Sequence, residues 1–395
     1  MTKTIFFSLI IFFGVLQLSQ AQSSTFVDTA YFSRNDKIIK SIINYRVVED
    51  DTLRDGPARY YYITGKLWQT GNHKDDKMVG LWETFYPGGT IKRKAVFDNG
   101  LKEGTVENFY DNASIKNKGI YHNDSLTGLM TLYYQSGTVQ ETRNYERNML
   151  NGLTTGYYPN GNLNYRYNYA DSLLVGLYEK YYLSGSIKEK GTIKNQNFFG
   201  RYLSFYENGN VEKDYAYNNF DIDGPYLVYF ENGLLMIKGN YVRGKIQGQW
   251  EQFYDNGNIY ETGQYSQGKH EGLWKTYYRD SSLYMEGQYF QGVPEGEWKV
   301  YHPNGVLKQI GVFKNGISEG AWQFFYENGQ IRVKGSYANN KENGHWVQFY
   351  ESGKVRLDLY YTEGLLNGIL TAYDEEGNVM EQAEYIENKL IRKIK

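Results

Sequence analysis

The residues in this sequence best suited to proton transfer at neutral pH, or to metal binding through nitrogen or sulfur, are five histidines; there is no cysteine. They are His73, His122, His270, His302 and His345, and no two stand at the spacing of a shared ligand or acid–base pair. Without cysteine a thiol nucleophile is excluded. The run Asp221-Ile222-Asp223-Gly224 opens like a calcium loop, but no carboxylate stands where such a loop closes. Glycine-rich turns such as GKIQG and GKHEG lack the strand-to-helix setting of a phosphate cradle. These residues imply no catalytic, cofactor or metal site, and the chain is expected not to be an enzyme.

The residues with binding chemistry are aromatic. There are 41 Tyr, 20 Phe and 7 Trp beside 43 Gly and only 6 Pro. Tyr and Trp are rigid amphipathic anchors that stack on sugars and bury well against proteins. Trp82, Trp250, Trp274, Trp298, Trp322 and Trp346, with Tyr178, Tyr202 and Tyr226 at the equivalent place in the middle of the chain, are the candidate binding aromatics. The alternative role for these rings is to be the core itself. A formal charge of −2 gives no electrostatic reason to expect nucleic acid or an anionic membrane as partner.

What positions these rings is a repeat. Stepping by 24 residues from Gly56 to Gly368 meets glycine at all fourteen places, without insertion or deletion. Counting that glycine as position one, position six is aromatic in every copy, and position seven is Tyr or Phe except at His302 and Asp374. Position twelve is Leu, Ile or Val throughout, and position eighteen is Tyr or Phe except at His73 and Ile193. Position three carries the six tryptophans above. Two strand-forming runs thus alternate with two turns, the first often Asn-Gly, as at Asn208 or Asn328, and the second expected to be the longer and more polar. One repeat reads as one β-hairpin. A lone hairpin of this size is marginal, so neighbours must share faces and edges. The fold class is all-β: an elongated, solenoid-like antiparallel sheet of about fourteen 24-residue hairpins covering residues 56–391. Position parity puts aromatic rows on both faces and leaves open which face is enclosed. The middle repeats depart most from the pattern, which makes them the place to seek a specialised site.

The ends read differently. Lys3 precedes an apolar run at 5–16, with Ser19 and Ala21 where a signal peptidase needs small residues. Residues 1–21 are therefore expected to be a secretory signal cleaved near Ala21, leaving a periplasmic or secreted chain with no transmembrane segment. Residues 22–55 fit the period poorly and read as a degenerate cap, and 392–395 as a basic tail.

The stretches YETGQYSQGKHEGLW (260–274) and YMEGQYFQGVPEGEW (284–298) resemble the MORN repeat. The phase GxWxxFYxxGxI resembles the MORN variant of bacterial toxin–antitoxin system antitoxins of the YwqK family. The resemblance implies hairpin solenoids acting as interaction scaffolds, without catalytic residues. The expected function is a non-catalytic exported scaffold that binds a protein partner across an aromatic-lined sheet. The alternatives are an envelope glycan-binding protein and an antitoxin or immunity protein.

Overall fold

The computed structural model describes residues 24–33 and 37–395, so the expected signal segment lies outside the described residues. Those residues form 35 strands and no helix. The chain divides into two compact units, one ending at Gly161 and the other running from Asn162 to Lys395. Within each unit, strands pair antiparallel in chain order. In the first, Ser24–Tyr31 pairs with Ile39–Val48, which pairs with Asp51–Tyr61, the strand that carries Gly56. The cap segment thus extends the sheet at the N-terminal side. In the second unit the pairing runs from Leu163–Ala170 to Lys389–Lys393, so part of the basic tail is strand, with Arg392 paired to Glu384 at 2.6 Å.

The repeat at Gly320 shows how sequence becomes hairpin. Strand Ile317–Phe325 pairs with Ile331–Ala338, which pairs with Lys341–Phe349. The two turns differ from the sequence expectation. The Asn-Gly connection is the longer one: Tyr326 N–H donates to the Gln330 carbonyl at 2.9 Å, and Gly329 N–H donates to Tyr326 at 3.0 Å. The polar connection is the tight one: Ala338 pairs with Lys341 across Asn339 and Asn340, whose φ values are 52° and 66°. Two consecutive left-handed residues are what a two-residue turn between twisted strands requires, and Asn tolerates that region.

The glycine at position one is a conformational requirement. All fourteen have φ between +65° and +121°, which residues with a side chain rarely adopt. Each sits in a bulge. Between the pairs Ile310↔Gln323 and Val312↔Glu319, the single residue Gly311 faces Gly320, Ala321 and Trp322. The bulge turns the Trp322 ring over the neighbouring strand.

Candidate binding surface

The glycine at position sixteen is required for a different reason. At Gly311 the backbone is unexceptional, but a Cβ there would stand 2.0 Å from Cδ2 of Trp322. The same overlap, at 2.0 to 2.2 Å, occurs at Gly71 with Trp82, Gly239 with Trp250, Gly263 with Trp274, Gly287 with Trp298 and Gly335 with Trp346. Each indole lies flat on a bare backbone, and four of them donate Nε1–H to a carbonyl ten residues earlier at 3.1 to 3.2 Å. Aromatic side chains at position eighteen close the gaps edge-on, as in Trp298–Phe313 at 5.8 Å and Phe313–Trp322 at 5.3 Å.

The six tryptophans are consequently 3 to 8% exposed. As candidate binding residues they are corrected to core: a single-layered sheet makes its interior by laying rings along its own backbone. Tyr178, Tyr202 and Tyr226 continue the column as half-buried rings, with Tyr167–Tyr178 at 5.0 Å, Tyr202–Tyr215 at 5.2 Å and Tyr215–Tyr226 at 5.4 Å. Their hydroxyls feed a polar cluster. Glu189 accepts from Lys180 at 2.8 Å, from Tyr178 at 3.1 Å and from Tyr202. Burial pulls the Glu189 carboxyl upward, but the hydrogen bonds from Lys180 and Tyr202 outweigh it and hold it below the ordinary range.

Position seven has a role that its aromatic type alone did not reveal. In ten repeats the tyrosine hydroxyl donates to the backbone carbonyl at position six of the next repeat, at 2.7 to 2.9 Å. His302, an exception in the sequence pattern, reaches the Phe325 carbonyl through Nε2 at 3.0 Å. The asparagine of Asn-Gly forms a second set of ties. Asn328 Oδ1 accepts the Gln330 N–H at 2.9 Å, and its Nδ2 donates to the Glu351 carbonyl of the next repeat at 3.2 Å. Asn208, Asn232, Asn256 and Asn304 do the same. Tyr326→Phe is expected to cost about 1 kcal/mol, the net worth of one hydrogen bond. The measurement is amide exchange in Lys341–Phe349; unchanged protection there would refute the tie.

The remaining histidines are separate. His122 Nδ1 lies 2.7 Å from Glu103, His345 Nε2 lies 2.7 Å from Asp358, and His270 sits between Tyr265 and Tyr289. Among the described residues no group of His, Asp or Glu is placed to hold a metal ion.

The face opposite the tryptophans carries part of the exposed apolar surface. In the first unit Leu81 pairs with Val96, and Thr105 pairs with Ile120, with Leu129 on the next strand. Leu81, Ile120 and Leu129 are 47 to 49% exposed and Val96 is 37% exposed. Beside this aliphatic row run the ion pairs Lys94–Glu83 at 3.5 Å and Lys118–Glu107 at 3.1 Å. The sequence reading did not single these residues out; the signal was Leu, Val or Ile at positions two and seventeen, on the parity opposite to tryptophan.

A single-layered array of hairpins, tied repeat to repeat and bare on one face, is a repeat scaffold. The chain belongs to the MORN repeat variant family, whose model matches residues 78–99, 126–147, 150–171, 174–195, 200–219, 246–267, 294–315, 318–339, 342–363 and 366–387. No curated protein matches the chain. Among solved structures it is similar to one described as "Crystal Structure of TcdB2-TccC3", at 11% identity, TM-score 0.13, covering 89% of this chain and 27% of that one. It is likewise similar to "Crystal Structure of TcdB2-TccC3-TEV", at 12% identity, TM-score 0.14, covering 89% and 26%. The chain spans about a quarter of those structures, and likenesses at such scores carry no inference about function.

Proposed function

We propose that this chain is an exported, non-catalytic scaffold that recognises a protein partner through the sheet face bearing Leu81, Val96, Ile120 and Leu129. The observation that carries the reading is the exposed row of Leu81, Val96, Ile120 and Leu129 on strands Lys77–Phe85 to Ser125–Tyr133, interrupted by Thr105 and bordered by ion pairs. Large exposed aliphatics aligned over successive strands are uncommon on a surface that faces only water. A polar margin beside an apolar strip is the anatomy of a protein interface. The lysine and apolar run near the N-terminus support export. A toxin would be one partner of this kind, as the likeness to the antitoxin repeats implies.

The test uses a photo-crosslinking residue at Leu81 or Leu129, with Leu273 as a control in the other unit, in the source cell envelope and culture fluid. The expected result is one protein captured from the first two sites and lost when Val96→Glu and Ile120→Glu are introduced beside the probe, with the unfolding midpoint unchanged. Capture that survives this double substitution, or a hydrolytic activity of the purified chain, would overturn the reading.

A further inference from the structure

A second kind of site stands in the first repeat, where residues rare at three positions stand together. Position eighteen, aromatic in twelve copies, is His73. Position thirteen is Trp68, the one tryptophan outside position three, and position five is Tyr60, aromatic elsewhere only at Phe324. All three line one cavity of about 510 Å³, wholly within the first unit, together with Arg54, Gln69 and Asp76. Drift among repeats scatters substitutions; these converge.

The walls have distinct chemistries. Trp68 stands nearly perpendicular to Tyr60, with ring centres 6.2 Å apart at 74°, and Tyr60 in turn stacks on Trp82 at 6.3 Å. Trp68 is 43% exposed, whereas Trp82, which also lines the cavity, is 3% exposed. Arg54 and Asp76 face each other at 2.9 Å, and the Arg54 backbone N–H also donates to that carboxylate at 3.0 Å, so the pair is fixed before any ligand arrives. His73 is 4% exposed and meets Trp82 edge-on at 4.9 Å; its Nδ1 has no hydrogen-bond partner. Burial, then the Arg54 charge, lowers its pKa and keeps the imidazole neutral near pH 7.

A ligand for this cavity needs an apolar face to lie on an indole and several hydroxyls at its edge for planar amide, carboxylate and guanidinium groups. A phosphate would meet the Asp76 carboxylate, while the two cations of the lining are already engaged, Arg54 with Asp76 at 2.9 Å and Lys77 with Asn99 Oδ1 at 2.8 Å, and an aliphatic side chain would leave the ion pair and Gln69 without a role. We propose that the cavity is a saccharide-binding site taking a pyranose ring of a glycan, with Trp68 as platform and Arg54, Gln69 and Asp76 as hydroxyl partners. Its volume falls in the range of small-molecule sites, roughly 300–1,000 Å³. This site is independent of the protein-binding face above, and either can fail without the other.

The experiment screens the full chain on an array of neutral and acidic oligosaccharides. The strongest binder is then measured free in solution by saturation-transfer NMR and titration. Binding is expected to weaken at least about tenfold, of the order of a lost aromatic platform at 1.4 kcal/mol per decade, in Trp68→Ala. It should be similarly weakened in Gln69→Ala, partly retained in Trp68→Phe and unchanged in Tyr260→Ala, an exposed ring at the same position of a distant repeat. No binder on the array would overturn the proposal. So would binding that persists in both Trp68→Ala and Gln69→Ala, or equal losses in Trp68→Ala and Tyr260→Ala.

Discussion

Gly311→Ala is expected to destabilise its repeat by about 3 kcal/mol, the upper part of the range for inserting one methyl group into a filled space. The backbone at Gly311 is not left-handed, so alanine brings no conformational strain there. The cost is purely steric, because the new methyl would stand 2.0 Å from the Trp322 ring. Gly320 is the control. Its φ is +68° and a Cβ there would meet nothing within 4 Å, so Gly320→Ala pays for backbone strain alone. A smaller partner should therefore rescue one substitution and not the other. In a double-mutant cycle Trp322→Leu is expected to couple favourably with Gly311→Ala by about 2 kcal/mol and to be additive with Gly320→Ala. In a stacked array the damage stays local, so amide exchange of Leu307–Lys314, Ile317–Phe325 and Ile331–Ala338 is the appropriate readout. Additive behaviour of Gly311→Ala and Trp322→Leu would refute the ring-on-backbone account.

The same geometry explains what could be read from the chain beforehand. The period, the hairpin and the alternation of strand and turn follow from residue types alone, because left-handed turns and paired strands select Gly, Asn and aromatics locally. The face on which the tryptophans are enclosed does not follow locally. One signal was present. Each position-three tryptophan is preceded eleven residues earlier by glycine: Gly71, Gly239, Gly263, Gly287, Gly311 and Gly335. Where position three is not Trp, the corresponding residues are Val47, Ala95, Gly119, Arg143, Tyr167, Gly191, Tyr215 and Leu359. A glycine with no turn to make, tied to a tryptophan, indicates a ring lying on a backbone and hence core. The tyrosine ties were hidden because burial of the ring and donation by the hydroxyl select the same residue type, and only the carbonyl of the next repeat separates them. The expectation of a specialised site in the middle repeats rested on the loss of tryptophan there. The rings at Tyr178, Tyr202 and Tyr226 instead continue the core column, whereas the converging departures fall in the first repeat.

The middle repeats do carry a chemistry of their own, and Glu189 is its centre. Its carboxylate gathers one ammonium and two phenol hydroxyls, and its side chain is 18% exposed. Removing it leaves Tyr178, Tyr202 and Lys180 without their acceptor in a half-buried setting. Glu189→Ala is expected to cost about 2 kcal/mol, below the roughly 3–5 kcal/mol of a fully buried pair because Lys180 remains 43% exposed. Glu189→Gln keeps the shape and isolates the charge. Because the folded-state pKa of Glu189 is held below its unfolded value, the carboxylate stabilises the fold above the ordinary glutamate range, about pH 4.3. That contribution is lost as pH falls through the lower, folded-state pKa. The stability gap between the native chain and Glu189→Gln, followed by amide exchange in Leu173–Tyr181, Ile187–Lys194 and Gly200–Phe205, should be full at pH 7 and shrink once the pH passes below about 4. A gap that is absent at pH 7, or of equal size at pH 7 and pH 3, would show that the cluster contributes shape rather than charge. The Tyr column would then be held by ring packing alone, and Lys180→Met should not restore what Glu189→Ala removes, since the 43% exposed ammonium would be solvated without its partner.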